Sequence, residues 1–124
     1  MPVISVHHAQ LPFRPAQATA IRHFYGVLLG LTDISPAASD SRRYVAGSQR
    51  IDLVPFDPPQ PVSAQAHLAF EVLNLPELRS TLLKAGLPLD ESSTLHGHRR
   101  FYVHDPAGNR LEFLEPEPTG VWSV

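Results

Sequence analysis

Phe101-Tyr102-Val103-His104-Asp105-Pro106-Ala107-Gly108-Asn109-Arg110-Leu111-Glu112-Phe113 reads as two strands folded back about a tight turn. Asp105, Pro106, Gly108 and Asn109 stand together between two apolar runs, and residues of these types favour chain reversal. Because strand side chains alternate, Leu111 and Phe113 share one face and Glu112 takes the other. A carboxylate is thus carried on a strand, turned away from the apolar face.

The same design occurs twice. Arg42 to Leu53 is a second hairpin-like stretch, in which Asp52 stands between Ile51 and Leu53 as Glu112 does between Leu111 and Phe113. Each hairpin follows a strand-like segment containing a histidine, Val6 to Leu11 and Ala66 to Val72, and then a helical pattern. The first helix is expected from about Ala16 to Leu29, with Ala20, Phe24, Val27 and Leu28 as its apolar stripe and Gly30 as its stop. The second is expected from Pro76 to Ala85, with Asn74 as N-cap, Leu78, Leu82 and Leu83 as the stripe and Gly86 as the close. His8 and His67 are 59 residues apart, and Asp52 and Glu112 are 60 apart. The pattern therefore predicts one α+β domain made of two copies of a strand, helix, strands unit. Module 1 spans about 1–56 and module 2 about 63–115. A proline-rich linker at about 57–62 joins them, and an irregular tail covers 116–124.

Composition narrows the partners. With 124 residues, Lys plus Arg 10 against Asp plus Glu 12 and a formal charge of −2, the chain lacks the basic balance of a nucleic-acid binder. No stretch is long and apolar enough to span a membrane, and the N-terminus does not read as a secretory leader, so a cytoplasmic protein is expected. The 0 Cys exclude disulfides, thiolate zinc sites and cysteine nucleophiles. Any metal must be held by nitrogen and oxygen, and 7 His are available.

Alternation places Leu68, Phe70 and Val72 on one face of their strand and His67, Ala69 and Glu71 on the other. The same parity turns His8, Asp52 and Glu112 away from the core. Two imidazoles and two carboxylates from four strands form a ligand set suited to Fe, Mn, Co, Ni or Zn. A single strand histidine is more often a hydrogen-bonded core or surface group, so it is the matched recurrence that favours a site.

On His8-Ala9-Gln10-Leu11, His23-Phe24-Tyr25, Leu29-Gly30-Leu31, His67 to Val72 and above all Phe101 to Phe113, the chain resembles the vicinal oxygen chelate superfamily. That group includes glyoxalase I, extradiol dioxygenases, fosfomycin-modifying thiol transferases and bleomycin resistance proteins. The resemblance implies two βαβββ modules forming a cupped mixed β-sheet around one divalent metal ion. It implies His8, His67 and Glu112 as ligands, and Asp52 falls where glyoxalase-like members usually carry glutamate. Being one methylene shorter, Asp52 is left with three roles: direct ligand, ligand through water, or pocket wall. The implied chemistry is chelation of two neighbouring oxygens of a small organic substrate, with Glu112 or Asp52 moving protons. A homodimer is also implied. The alternative from another class is a metal-free, bleomycin-resistance-like protein that binds a small molecule without turnover.

The remaining candidates follow from position. Tyr102 and Arg100 share parity, and the turn can set either opposite Glu112, where Tyr102 would donate a proton or hydrogen bond. His96 and His98 are loop histidines. Arg42-Arg43 and Arg99-Arg100 recur at matched places, as anion binders or as edge-strand charges. Gln10 shares the face of His8, His7 has the opposite parity, and Glu71 lies roughly 13 Å along the strand from His67 at the rise of an extended chain.

Overall fold

The computed structural model describes residues 2, 5–56 and 67–117. The chain divides into two compact units, Met1–Pro61 and Val62–Val124. The proline-rich linker and the tail beyond Glu117 lie outside the described residues.

In the first unit β1 (His8–Phe13) is followed by a helical stretch, then β2 (Thr32–Asp33), β3 (Arg42–Ala46) and β4 (Gln49–Pro55). The sheet order is β1-β4-β3-β2. β1 and β4 are parallel, because the helix carries the chain across the sheet before it returns, whereas Gly47 at φ +62° reverses it tightly between antiparallel β3 and β4. The helical stretch begins as a 3₁₀ turn, Pro15–Gln17, continues as α1 (Ala18–Arg22), and widens into a π-helical segment, His23–Leu28. Its span matches the sequence reading, but the stripe does not. Ile21, Phe24 and Tyr25 are buried, while Ala20 is exposed and Val27 is 65% exposed. The spacing from Ile21 to Phe24, Tyr25 and Leu28 is the i, i+3, i+4, i+7 stripe, and Tyr25 stacks on Tyr44 of β3 at 5.6 Å. Phe13, Ile51 and Leu53 complete this core.

In the second unit β5 (Leu68–Glu71) leads to α2 (Leu75–Lys84), β6 (His98–His104) and β7 (Arg110–Pro116), with sheet order β5-β7-β6. β5 runs parallel to β7, and β6 antiparallel to it. The strand expected between helix and hairpin is reduced to a single bridge, Asp90 to Tyr102. Leu75 and Leu82 are the buried positions of α2, whereas Leu83, expected in the stripe, is 43% exposed. Phe113 is the centre of this core, packed against Phe70 at 5.2 Å and Phe101 at 5.6 Å.

The start of α2 is tied to the sheet. Asn74, at φ +62°, accepts from the Glu77 amide through its side chain, as an N-cap does. Glu115 of β7 accepts from the backbone amides of Asn74 at 2.6 Å and Leu75 at 3.0 Å, and Arg99 donates to it at 2.8 Å. The Leu75 and Asn74 amides, followed by Arg99, hold the Glu115 carboxyl below its ordinary value of 4.5. A carboxyl depressed in the folded state stabilises above its unfolded value and loses that contribution as pH falls through the folded one. Glu115→Gln is therefore expected to lower the melting temperature at pH 7 and to flatten the loss of stability below pH 4.5. Equal acid limbs for variant and parent would contradict this.

Candidate functional site

In the first module the parallel register sets His8 beside Arg50 and Gln10 beside Asp52, and Arg43 of β3 lies across from Asp52. Since Tyr44, Ile51 and Leu53 hold the helix-covered face, these five share the other. Asp52 is buried at 7% exposure, with His8 Nε2 at 3.9 Å from its Oδ2. Its principal partner is Arg50, which donates from Nε to Oδ1 at 2.7 Å and from Nη2 to Oδ2 at 2.9 Å. That two-pronged pairing engages both carboxylate oxygens. His7, of opposite parity, sits outside this group, its Nδ1 2.8 Å from that of His8.

In the second module Ala69 and Tyr102 both face Glu112 across the ladder. That register is set by the Asp105–Asn109 turn. Asp105 Oδ1 accepts from the Ala107 and Asn109 amides, Oδ2 accepts from Asn109 Nδ2, all at 2.9 Å, and Gly108 supplies φ +88°. The buried side chains at the two ends of the turn, Asp105 and Asn109, are thus paired with one another, which fixes one geometry. Glu112, 5% exposed, meets His67 Nε2 through Oε1 at 2.8 Å and Arg100 Nη1 through Oε2 at 3.3 Å. Tyr102, 8% exposed, stands edge-on to His67 at 5.3 Å. The guanidinium of Arg110 lies over the Tyr102 ring at 3.8 Å, with that of Arg100 at 5.4 Å.

The structure therefore assembles the candidates pairwise: His8 with Asp52 in one module, His67 with Glu112 and Tyr102 in the other. Among the described residues no group of three or more His, Cys, Asp or Glu is gathered in metal-ligand geometry. Two ligands at ~2.1 Å from one ion and about a right angle apart stand about 3 Å from each other, so His67 Nε2 and Glu112 Oε1 fit as neighbours on a metal. Asp52 does not fit while Arg50 holds both its oxygens. His98 opens β6, its Nδ1 3.3 Å from the carbonyl of exposed His96. Of the two arginine pairs, expected at matched places, Arg42 and Arg99 bond Asp33 and Glu115 on the helix-covered faces and Arg43 and Arg100 lie on the other ones, but the register matches Arg43 with Tyr102 and not with Arg100.

Arg50 and Arg110 were not singled out from sequence, yet both stand among the candidate residues. The signal was present: Arg50-Ile51-Asp52 and Arg110-Leu111-Glu112 each place an arginine two residues before the acid, on its own face of the strand.

No protein-family model and no curated protein matches the chain. Solved structures do. A glyoxalase family protein from Bacillus anthracis is 28% identical, with a TM-score of 0.83 over 93% of this chain and 97% of that one. A glyoxalase/dioxygenase from Nostoc punctiforme is 20% identical, with a TM-score of 0.79 over 94% of each chain. Lactoylglutathione lyase from Agrobacterium tumefaciens is 19% identical, with a TM-score of 0.73 over 100% of each. No described helix is long and apolar enough to cross a membrane. The structural neighbours of this chain are thus members of the vicinal oxygen chelate superfamily, and it has their α+β fold of two modules.

Proposed function

We propose that the chain is a metal-dependent enzyme of glyoxalase or dioxygenase type, acting on a small organic molecule that presents two neighbouring oxygens. His67 and Glu112 of the second module would hold the divalent ion. The observation that carries this reading is the approach of His67 Nε2 to Glu112 Oε1 at 2.8 Å on a buried carboxylate. The chemistry an ion would supply there is stabilisation of negative charge developing on adjacent substrate oxygens. Tyr102, against His67, donates a hydrogen bond to one of those oxygens, and Glu112 takes and returns the proton that moves between substrate atoms. Arg100 keeps Glu112 oriented. Asp52, in the first module, is held by Arg50.

The test is metal content by plasma mass spectrometry on untagged protein purified without chelator, before and after reconstitution. One ion per chain is expected. Iron would direct assays to oxygen uptake on catechols; nickel, cobalt, zinc or manganese would direct them to isomerase, lyase or transferase chemistry. The second reading, a metal-free small-molecule binder, is favoured by the arginine partner that each carboxylate already has, Arg50 on Asp52 and Arg100 on Glu112. No metal after reconstitution would put that reading first.

A further inference from the structure

Four arginines among the described residues are partly buried: Arg42, Arg50, Arg100 and Arg110. The first three are ion-paired, to Asp33, Asp52 and Glu112. Arg110 forms no ion pair with a described residue. Taking a guanidinium part-way out of water without an anion is unfavourable, so an unpaired one held on a sheet face needs a reason.

The two modules provide an internal comparison. Arg50 and Arg110 each precede the acid of their strand by two residues. In the first module Arg50 folds onto its own acid. The residue across from Asp52 is Arg43, which offers no ring, and Ser41 stands where the second module has Arg100. In the second module Arg100 takes Glu112 through Nη1, while its Nη2 donates to Ser93 Oγ at 3.3 Å and the Thr94 carbonyl at 3.2 Å. With Glu112 engaged, Arg110 stacks instead on Tyr102, its Cζ 3.8 Å from the ring centroid. Stacking restrains the guanidinium plane and leaves its N–H edges free to donate. Asp90, affected by Arg110 only at a distance, is engaged by Ser92 at 2.6 and 3.0 Å. The same Tyr102 ring abuts His67, so Arg110 and the proposed ligand pair flank one side chain.

We infer that Arg110, stacked on Tyr102, is the specificity-determining residue of the second-module face and binds an anionic oxygen group, carboxylate or phosphoryl, on the small-molecule substrate. This names the substrate class and rests on the proposed function for its placement of the substrate, but its test does not require metal. A planar fork suits either anion, and each charge-assisted bond strengthens as the group leaves water. Neutral analogues of the same shape lose that contribution.

The probes are glycolate and methylphosphonate as the two anions, and glycolamide as the neutral counterpart of glycolate. Each is titrated by NMR into chelator-treated protein and into protein loaded with one divalent ion per chain, at low and high salt. Saturable, salt-weakened shifts at Tyr102 and Arg110 are expected with at least one anion in the metal-free arm, and none with glycolamide. The apparent Kd rises about tenfold or more in Arg110→Ala and is partly restored in Arg110→Lys, which keeps the charge without the fork. Arg22→Ala, an exposed change on α1 of the other module, leaves it unchanged. The preferred anion identifies the group. Unchanged affinity in a folded Arg110→Ala, equal shifts with glycolamide, or no binding of either anion would overturn the inference. Failure to take up metal while anion binding persists would sink the proposed function and leave the role of Arg110 standing.

Discussion

Glu112→Gln is expected to reduce affinity for the divalent ion by about a hundredfold or more, beyond the range seen when a residue that merely supports a ligand is changed. Glutamine keeps the shape of the side chain and removes its charge. The same change strands the Arg100 guanidinium, whose buried Nε already lacks a hydrogen-bond partner among the described residues. A loss of stability of about 2 kcal/mol should therefore accompany the loss of metal, less than for a fully buried pair because Arg100 remains 17% exposed. Metal titration and thermal melting read the two effects separately. Full metal affinity in the variant would remove Glu112 from the ligand set.

Phe113→Ala should be the most damaging substitution in the second module, costing about 3–5 kcal/mol. Phe113 is 2% exposed and lies almost parallel to Phe70, 10° between ring planes, while Phe101 covers its other flank. Truncation leaves a cavity between three strands that cannot all move inward, since β7 is hydrogen-bonded on both edges. Val27→Ala is the control: at 65% exposure it should shift stability by no more than about 0.5 kcal/mol, although its sequence position reads as apolar stripe. Chemical denaturation gives both values. A small loss for Phe113→Ala would mean that this core repacks freely.

Parity and repetition made much of the molecule legible. The twofold recurrence of histidine, helix and acid-bearing hairpin predicted both sheets, and the alternation around Ile51, Asp52 and Leu53 placed the acid opposite the core, as observed. Turn chemistry was equally readable: Asp105 to Asn109 could only reverse the chain, and the resulting register sets Tyr102 across from Glu112. Helix stripes were less secure, because two apolar sets overlap. Val27 and Leu83 fit a helical spacing as well as Ile21 or Leu75 does, and only packing against Tyr44 or the hairpin decides between them. The second-module strand expected after the helix shrank to Asp90 because Leu87, Pro88 and Leu89 leave little chain with ladder capacity, Pro88 having no amide to donate.

What parity could not supply is the choice of partner within a face. Asp52 and Glu112 occupy matched positions and read alike, yet one is gripped by the arginine two residues before it and the other by an arginine from the neighbouring strand. That difference depends on Arg100 and Tyr102 having no counterparts in the first module, where Ser41 and Arg43 stand instead. It leaves Arg50 on Asp52, and Arg110 with no ion pair among the described residues.

The central proposal is that a divalent ion is held in the second module by His67 and Glu112. X-ray absorption at the metal edge of protein loaded with one ion per chain tests it most directly, since imidazole rings scatter distinctively and can be counted. At least one imidazole per ion is expected in the parent and one fewer in His67→Ala, with the Asp52→Asn spectrum unchanged. No imidazole in the parent, or the parent spectrum persisting in His67→Ala, would contradict the account.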